Sequence, residues 1–161
     1  MGSFRSHSFA TPISSHVPPG IVFLPFPLQS LGLNIKVAVL TASADLQNPG
    51  FDKSLASSVI VQAHLDTGAN KTSIDIKLAK ALKLIPTGPS TIYTANGPVK
   101  MPAYAIDLHF PNTDLKPFIN LPIGSCDLTG QKNFSMLLGR DVMSVWNIVW
   151  NGPSSTVFIN D

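Results

Sequence analysis

The segment Val59-Ile60-Val61-Gln62-Ala63-His64-Leu65-Asp66-Thr67-Gly68-Ala69 constrains the fold more than any other part of the chain. Its first half is rich in β-branched apolar residues, which favour a pleated, half-buried strand. Its second half turns polar at once, and Gly68 permits a sharp reversal and a close backbone approach. Asp66 therefore stands where a buried strand ends. A carboxylate in that place needs hydrogen-bond partners or a raised pKa, because burial disfavours its charged form. Two like carboxylates that share one proton are a known catalytic use of such a position.

The remaining composition narrows the class. A chain of 161 residues suits one domain with a real core. Its 14 prolines and many β-branched residues favour strands and turns over a helical bundle. A net charge of +2 without a Lys/Arg cluster gives no basis for nucleic-acid binding. The chain has no glutamate, which removes motifs such as the His-Glu-x-x-His zinc helix. The single Cys126 rules out an internal disulfide and a cysteine-built zinc site. It fits a reducing compartment, so a cytoplasmic location is expected, with no cofactor and no metal. No apolar run reaches transmembrane length, and the patch from Ile21 to Leu28 is interrupted by Pro25 and Pro27.

Residues 1–32 read as an irregular extension and residues 33–161 as the folded domain. Pro18-Pro19-Gly20 and Pro25-Phe26-Pro27 oppose regular structure in the former. In the latter, Asn34 to Leu40 and Val59 to Leu65 read as strands, joined by a long connection. The apolar spacing predicts a helix over 73–84. Asn96-Gly97 marks a tight hairpin over 91–101. Further strands are expected at 103–110, 117–123 and 134–138, with a polar loop at 124–133. A helical turn or two at 140–146 and a hairpin from 147–151 to 156–160 close the chain. The domain is expected to be all-β, a closed barrel-like lobe with one or two short helices.

Leu65-Asp66-Thr67-Gly68-Ala69 resembles the active-site turn of the aspartic proteases. About 70 residues downstream, Leu137-Leu138-Gly139-Arg140-Asp141 resembles the apolar-apolar-Gly-Arg-Asp/Asn element of the retropepsins, the single-lobed members. Between the two lie a short helix and the Tyr93 to Met101 hairpin, where that family carries its flap. The order of elements from about residue 34 onward matches the family. The resemblance implies an aspartic endopeptidase with a retropepsin-like lobe and Asp66 as the catalytic residue. It implies that Thr67 locks two active-site turns together through its hydroxyl and that Gly68 leaves room for substrate backbone. Asn70 and the flap residues Tyr93, Thr94, Ala95, Asn96 and Gly97 become candidates for contact with an extended peptide. Leu137, Leu138, Gly139, Arg140 and Asp141 become the structural support behind the turn.

Only one Asp-Thr-Gly is present, whereas a two-lobed enzyme needs two in roughly twice this length. Asp127-Leu128-Thr129-Gly130 has an extra residue and no preceding apolar strand, and it reads as a surface turn. One Asp66 per chain implies a homodimer with the two carboxylates facing each other across a two-fold axis. The C-terminal strand, Thr156 to Ile159, is by resemblance an interface strand. The family often places an acidic residue where this chain has Asn70, so an Asn70–Arg140 contact would be a hydrogen bond to a neutral acceptor. With a period of two, His64 points to the same side as Asp66. It either lines the cleft or sits half-buried at a strand edge. The alternative function is a retropepsin fold that binds peptides or dimerises without turnover.

Overall fold

The computed structural model describes residues 21–23, 32–94, 97–154 and 156–161. Among these, the strands are β1 (Ile21–Phe23), β2 (Asn34–Thr41), β3 (Ser58–Leu65), β4 (Ser73–Asp75), β5 (Pro86–Thr94), β6 (Gly97–His109), β7 (Phe118–Cys126), β8 (Met136–Leu138), β9 (Asn147–Asn151) and β10 (Thr156–Asn160). Three short α-helices accompany them: α1 (Ser43–Gln47), α2 (Ile76–Ala81) and α3 (Arg140–Met143).

Alternation builds the barrel. In β2, Ile35, Val37, Val39 and Thr41 are buried while Lys36 is exposed, as a strand with one face on the core requires. Ala63 and Leu65 of β3, Tyr104, Ile106 and Leu108 of β6, and Leu121 and Ile123 of β7 fill the same core. Each such large side chain stabilises the fold by about 1.5–3 kcal/mol through burial. The strand order is β2-β3-β8-β4-β7-β6, and β2 also pairs with β6, so six strands close into a barrel. Closure removes the free edges that an open sheet would present. β5 continues the sheet beyond β6 as a long antiparallel hairpin. Phe110 meets Trp146 edge-on at 5.0 Å between ring centroids and seals the barrel where α3 ends.

Several elements differ from their sequence reading. Ser73–Asp75 is not the start of a helix but β4, and the helix runs only from Ile76 to Ala81. Asp75 separates the two as an N-cap, its Oδ1 accepting Lys77 N–H at 2.7 Å and Leu78 N–H at 3.3 Å. The helix ends before Pro86, where Lys83 takes φ +54°. The expected hairpin is present as β5 and β6, but its second arm and the strand expected at 103–110 are one continuous strand, β6, despite Pro98 and Pro102. β7 extends to Cys126, three residues into the expected loop. The connection between β2 and β3 carries α1 and a 3-10 turn at Lys53–Leu55. Within the supposedly irregular extension, Ile21–Phe23 pairs antiparallel with β10, and the rest of residues 1–31 lies outside the described residues. The closing hairpin, β9 with β10, has the expected bounds.

One buried carboxylate ties α1 to the barrel. The β6–β7 register shifts between Ile106 and Leu108, and Asp107 sits at that irregularity, 5 % exposed. Its Oδ1 accepts Ser43 N–H at 3.1 Å and Asn120 N–H at 2.8 Å, and its Oδ2 accepts the Ser43 hydroxyl. Asn120, at φ +54°, in turn accepts Ala44 N–H at 2.7 Å. Burial alone would raise the Asp107 carboxyl, but the donors from Asn120 and Ser43 bring it below the ordinary carboxylate value. A group depressed in the folded state stabilises above its unfolded pKa, and that stabilisation is lost as pH falls through the lowered value. Asp107→Asn should therefore cost about 1–3 kcal/mol at neutral pH. In urea unfolding, the gap between wild type and variant should narrow as pH falls below about 4. A gap independent of pH would contradict this role.

Candidate active site

The site is built where β3 ends. Leu65 is the last strand residue and points into the core. β3 pairs in parallel with β8, His64 opposite Leu137 and Leu65 opposite Leu138. Asp66 extends that pairing by one rung, its N–H donating to Leu138 O at 2.9 Å. The chain then reverses, with Ala69 N–H closing a turn onto Asp66 O at 3.1 Å. The carboxylate is held by the same turn: Oδ1 accepts Gly68 N–H at 2.9 Å and Ala69 N–H at 3.3 Å. Among the described residues Oδ2 has no partner. Asp66 and Ala69 are half-buried, while Thr67 and Gly68 are exposed. One carboxylate oxygen is thus fixed and the other is open, on an exposed turn.

After the turn the chain returns as β4, which pairs with β8 on the side opposite β3. β8 therefore runs between the two limbs of the Asp66 turn. The residues after it knit the limbs together. Arg140 N–H donates to Ala69 O at 3.0 Å. Gly139 N–H donates to Thr72 Oγ1 at 3.1 Å. Asp141 accepts Thr72 N–H on both oxygens at 2.9 and 3.0 Å, and the Thr72 hydroxyl at 2.8 Å. Glycine is needed at 139 for space. A Cβ there would lie 2.5 Å from Lys71 C and 2.8 Å from both Lys71 O and Thr72 N. Leu138 is fully buried and Leu137 half-buried, so β8 anchors this crossing in the core.

The other expected site residues fall as follows. Arg140 is exposed and donates from Nη1 to Thr67 O at 2.8 Å and Gly68 O at 3.4 Å, so its guanidinium serves the turn itself. Asn70 is exposed just beyond the turn. Tyr93 is 81 % exposed near the end of β5, opposite Pro98, and Thr94 pairs with Gly97 at φ +105°. Ala95 and Asn96, the hairpin tip, lie outside the described residues. His64 is half-buried, with Nδ1 2.8 Å from Asn34 Oδ1 and its ring stacked on Phe134 at 4.9 Å. That packing leaves the ring little freedom to follow a ligand. Asp127 accepts the Thr129 N–H at 2.9 Å in an exposed local turn, as expected of a surface loop.

Thr72 was not singled out in the sequence. Its signal is faint: a hydroxyl just before a short strand, distant in sequence from the Asp141 that it meets. Cys126 offers no alternative nucleophile. Burial, with the charges of Asp75 and Asp127, pushes its thiol up to about 11, far from the thiolate form at neutral pH. No described group of three His, Cys, Asp or Glu residues is placed to hold a metal ion. No described helix is long and apolar enough to cross a membrane.

A family model described as aspartyl protease matches residues 57–142, just over half of the chain. The matched span begins just before β3 and includes both the Asp66 turn and the crossing at Gly139–Asp141. No curated protein matches the chain.

The crossing makes a direct prediction. Gly139→Ala should destabilise at or above the upper end of the roughly 1–3 kcal/mol that overpacking costs, since its neighbours are backbone atoms that cannot rotate away. Thermal or urea unfolding reads this out. A variant as stable as wild type would mean that the two backbones do not approach so closely.

Proposed function

The chain belongs to the retropepsin-like aspartyl protease family, and from that premise we propose that it is an endopeptidase acting as a homodimer on extended polypeptide segments. The observation that carries the reading is the state of Asp66. Its Oδ1 is fixed by Gly68 and Ala69, its Oδ2 is without a partner among the described residues, and the turn is exposed. Each chain brings one such turn, so a second copy supplies the second carboxylate.

Two carboxylates about 3 Å apart do not both ionise readily and share one proton over an acidic range. One takes a proton from a water as it attacks the peptide carbonyl, and the other donates a proton to the carbonyl oxygen. The resulting tetrahedral species collapses with protonation of the leaving amine, and no covalent intermediate forms. The β5–β6 hairpin, with Tyr93 to Gly97 at its end, closes over the substrate and excludes water. An extended peptide binds by strand-like main-chain bonds, with Asn70 at the edge of the cleft. The constrained His64 ring is left out of these contacts.

The dimer places a demand on the N-terminal strand. β10 has β1 on one edge and β9 on the other. A partner strand that adds to β10 must displace β1 or β9, or exchange with one of them. Val149 and Phe158 are register partners, 60 % and 41 % exposed, and offer an apolar patch on the same small sheet.

Wild type should cleave a peptide library at acidic to mildly acidic pH, and Asp66→Asn should abolish turnover while leaving the fold intact. A statine-type inhibitor should block the wild type. Absence of cleavage by a verified dimer, with peptide binding that survives Asp66→Asn, would instead support a silent binding module. A stable, active monomer would contradict the dimeric site.

A further inference from the structure

We infer that Thr72 and Asp141 are positioning residues that set the place of the Asp66 carboxylate, an inference that rests on the protease reading above. Three consecutive residues bind the turn's chain in register: Leu138 O takes Asp66 N–H, Gly139 N–H meets Thr72 Oγ1, and Arg140 N–H meets Ala69 O. The Thr72 hydroxyl is the middle rung, and it is fully buried. It accepts from Gly139 and donates to Asp141, so one hydroxyl uses both of its capacities. Asp141 also accepts Val142 N–H at 3.0 Å, which fixes it to the start of α3. Without the hydroxyl, a buried Gly139 N–H is orphaned and the Asp66 anchor at Leu138 is free to shift.

The two-fold axis magnifies the consequence. Both chains carry the same displacement, so an error in one turn is applied twice to the distance between the carboxylates. The effect falls on the reacting groups and leaves the peptide cleft in place. It therefore appears in kcat and not in KM.

The test compares Thr72→Val, Thr72→Ser and Asp141→Asn with Asp107→Asn, a variant weakened far from the site. Thr72→Val should lower kcat on the order of 100-fold, with KM within about twofold of wild type. Thr72→Ser, which keeps the hydroxyl, should restore most of kcat, and Asp141→Asn should fall between. Asp107→Asn should keep wild-type kcat per folded dimer. Amide hydrogen exchange supplies a readout that needs no turnover. In Thr72→Val the Asp66 and Arg140 amides should exchange at least about tenfold faster, while β2 and β6 stay protected. If Thr72→Val does not fold, Asp141→Asn carries both readouts. Unchanged exchange at Asp66 and Arg140, or a rise shared equally by the barrel strands, would overturn the inference. A wild type without turnover would defeat the protease reading, and the exchange result would still decide the positioning role.

Discussion

Where residues 138–140 pass behind the turn at 66–72, two backbones come closer than any side chain larger than hydrogen permits. Gly139 has room only for its hydrogen against Lys71 and Thr72. That contact is possible because β8 is inserted between β3 and β4, parallel to one and antiparallel to the other. Polar groups at this crossing bond one another. Thr72, Gly139 and Asp141 satisfy one another, and Asp66 and Ala69 are tied to Leu138 and Arg140. A buried polar network of this kind is rigid when complete and costly when broken. The position of Asp66 follows from it, and so does the exposure of Thr67 and Gly68.

The rest of the molecule supports that crossing. The closed barrel fixes β3 and β8 by fully buried residues such as Ala63, Met136 and Leu138. The Asp107 network holds α1 on the far side without touching the site. The small sheet of β1, β10 and β9 contains both the N-terminal strand and the proposed interface strand.

Local chemistry was legible in the sequence, and non-local pairing was not. The bounds of β9 and β10 and nearly those of β2 and β3 could be read, because alternation and turn residues act over a few positions. The Asp66 turn, Gly139 and the surface turn at Asp127 were legible for the same reason. The segment 73–84 misled because Ser73, Ile74 and Asp75 fit a helical period as well as a strand. Only their pairing with Gly124–Cys126 and Met136–Leu137, which lies far along the chain, makes them β4. The Thr72–Asp141 pair is hidden in the same way, 69 residues apart. The acceptors that the Arg140 guanidinium reaches, the carbonyls of Thr67 and Gly68, were not legible either, because backbone carbonyls carry no residue-specific signal.

The central claim is that one active site needs an Asp66 from each of two chains. Mixing wild type with Asp66→Asn at fixed total concentration, after subunit exchange, tests it directly. Mixed dimers with a single carboxylate should be inactive, so activity should fall as the square of the wild-type fraction. Activity that falls in simple proportion to that fraction would mean that one chain suffices, and would contradict the shared site.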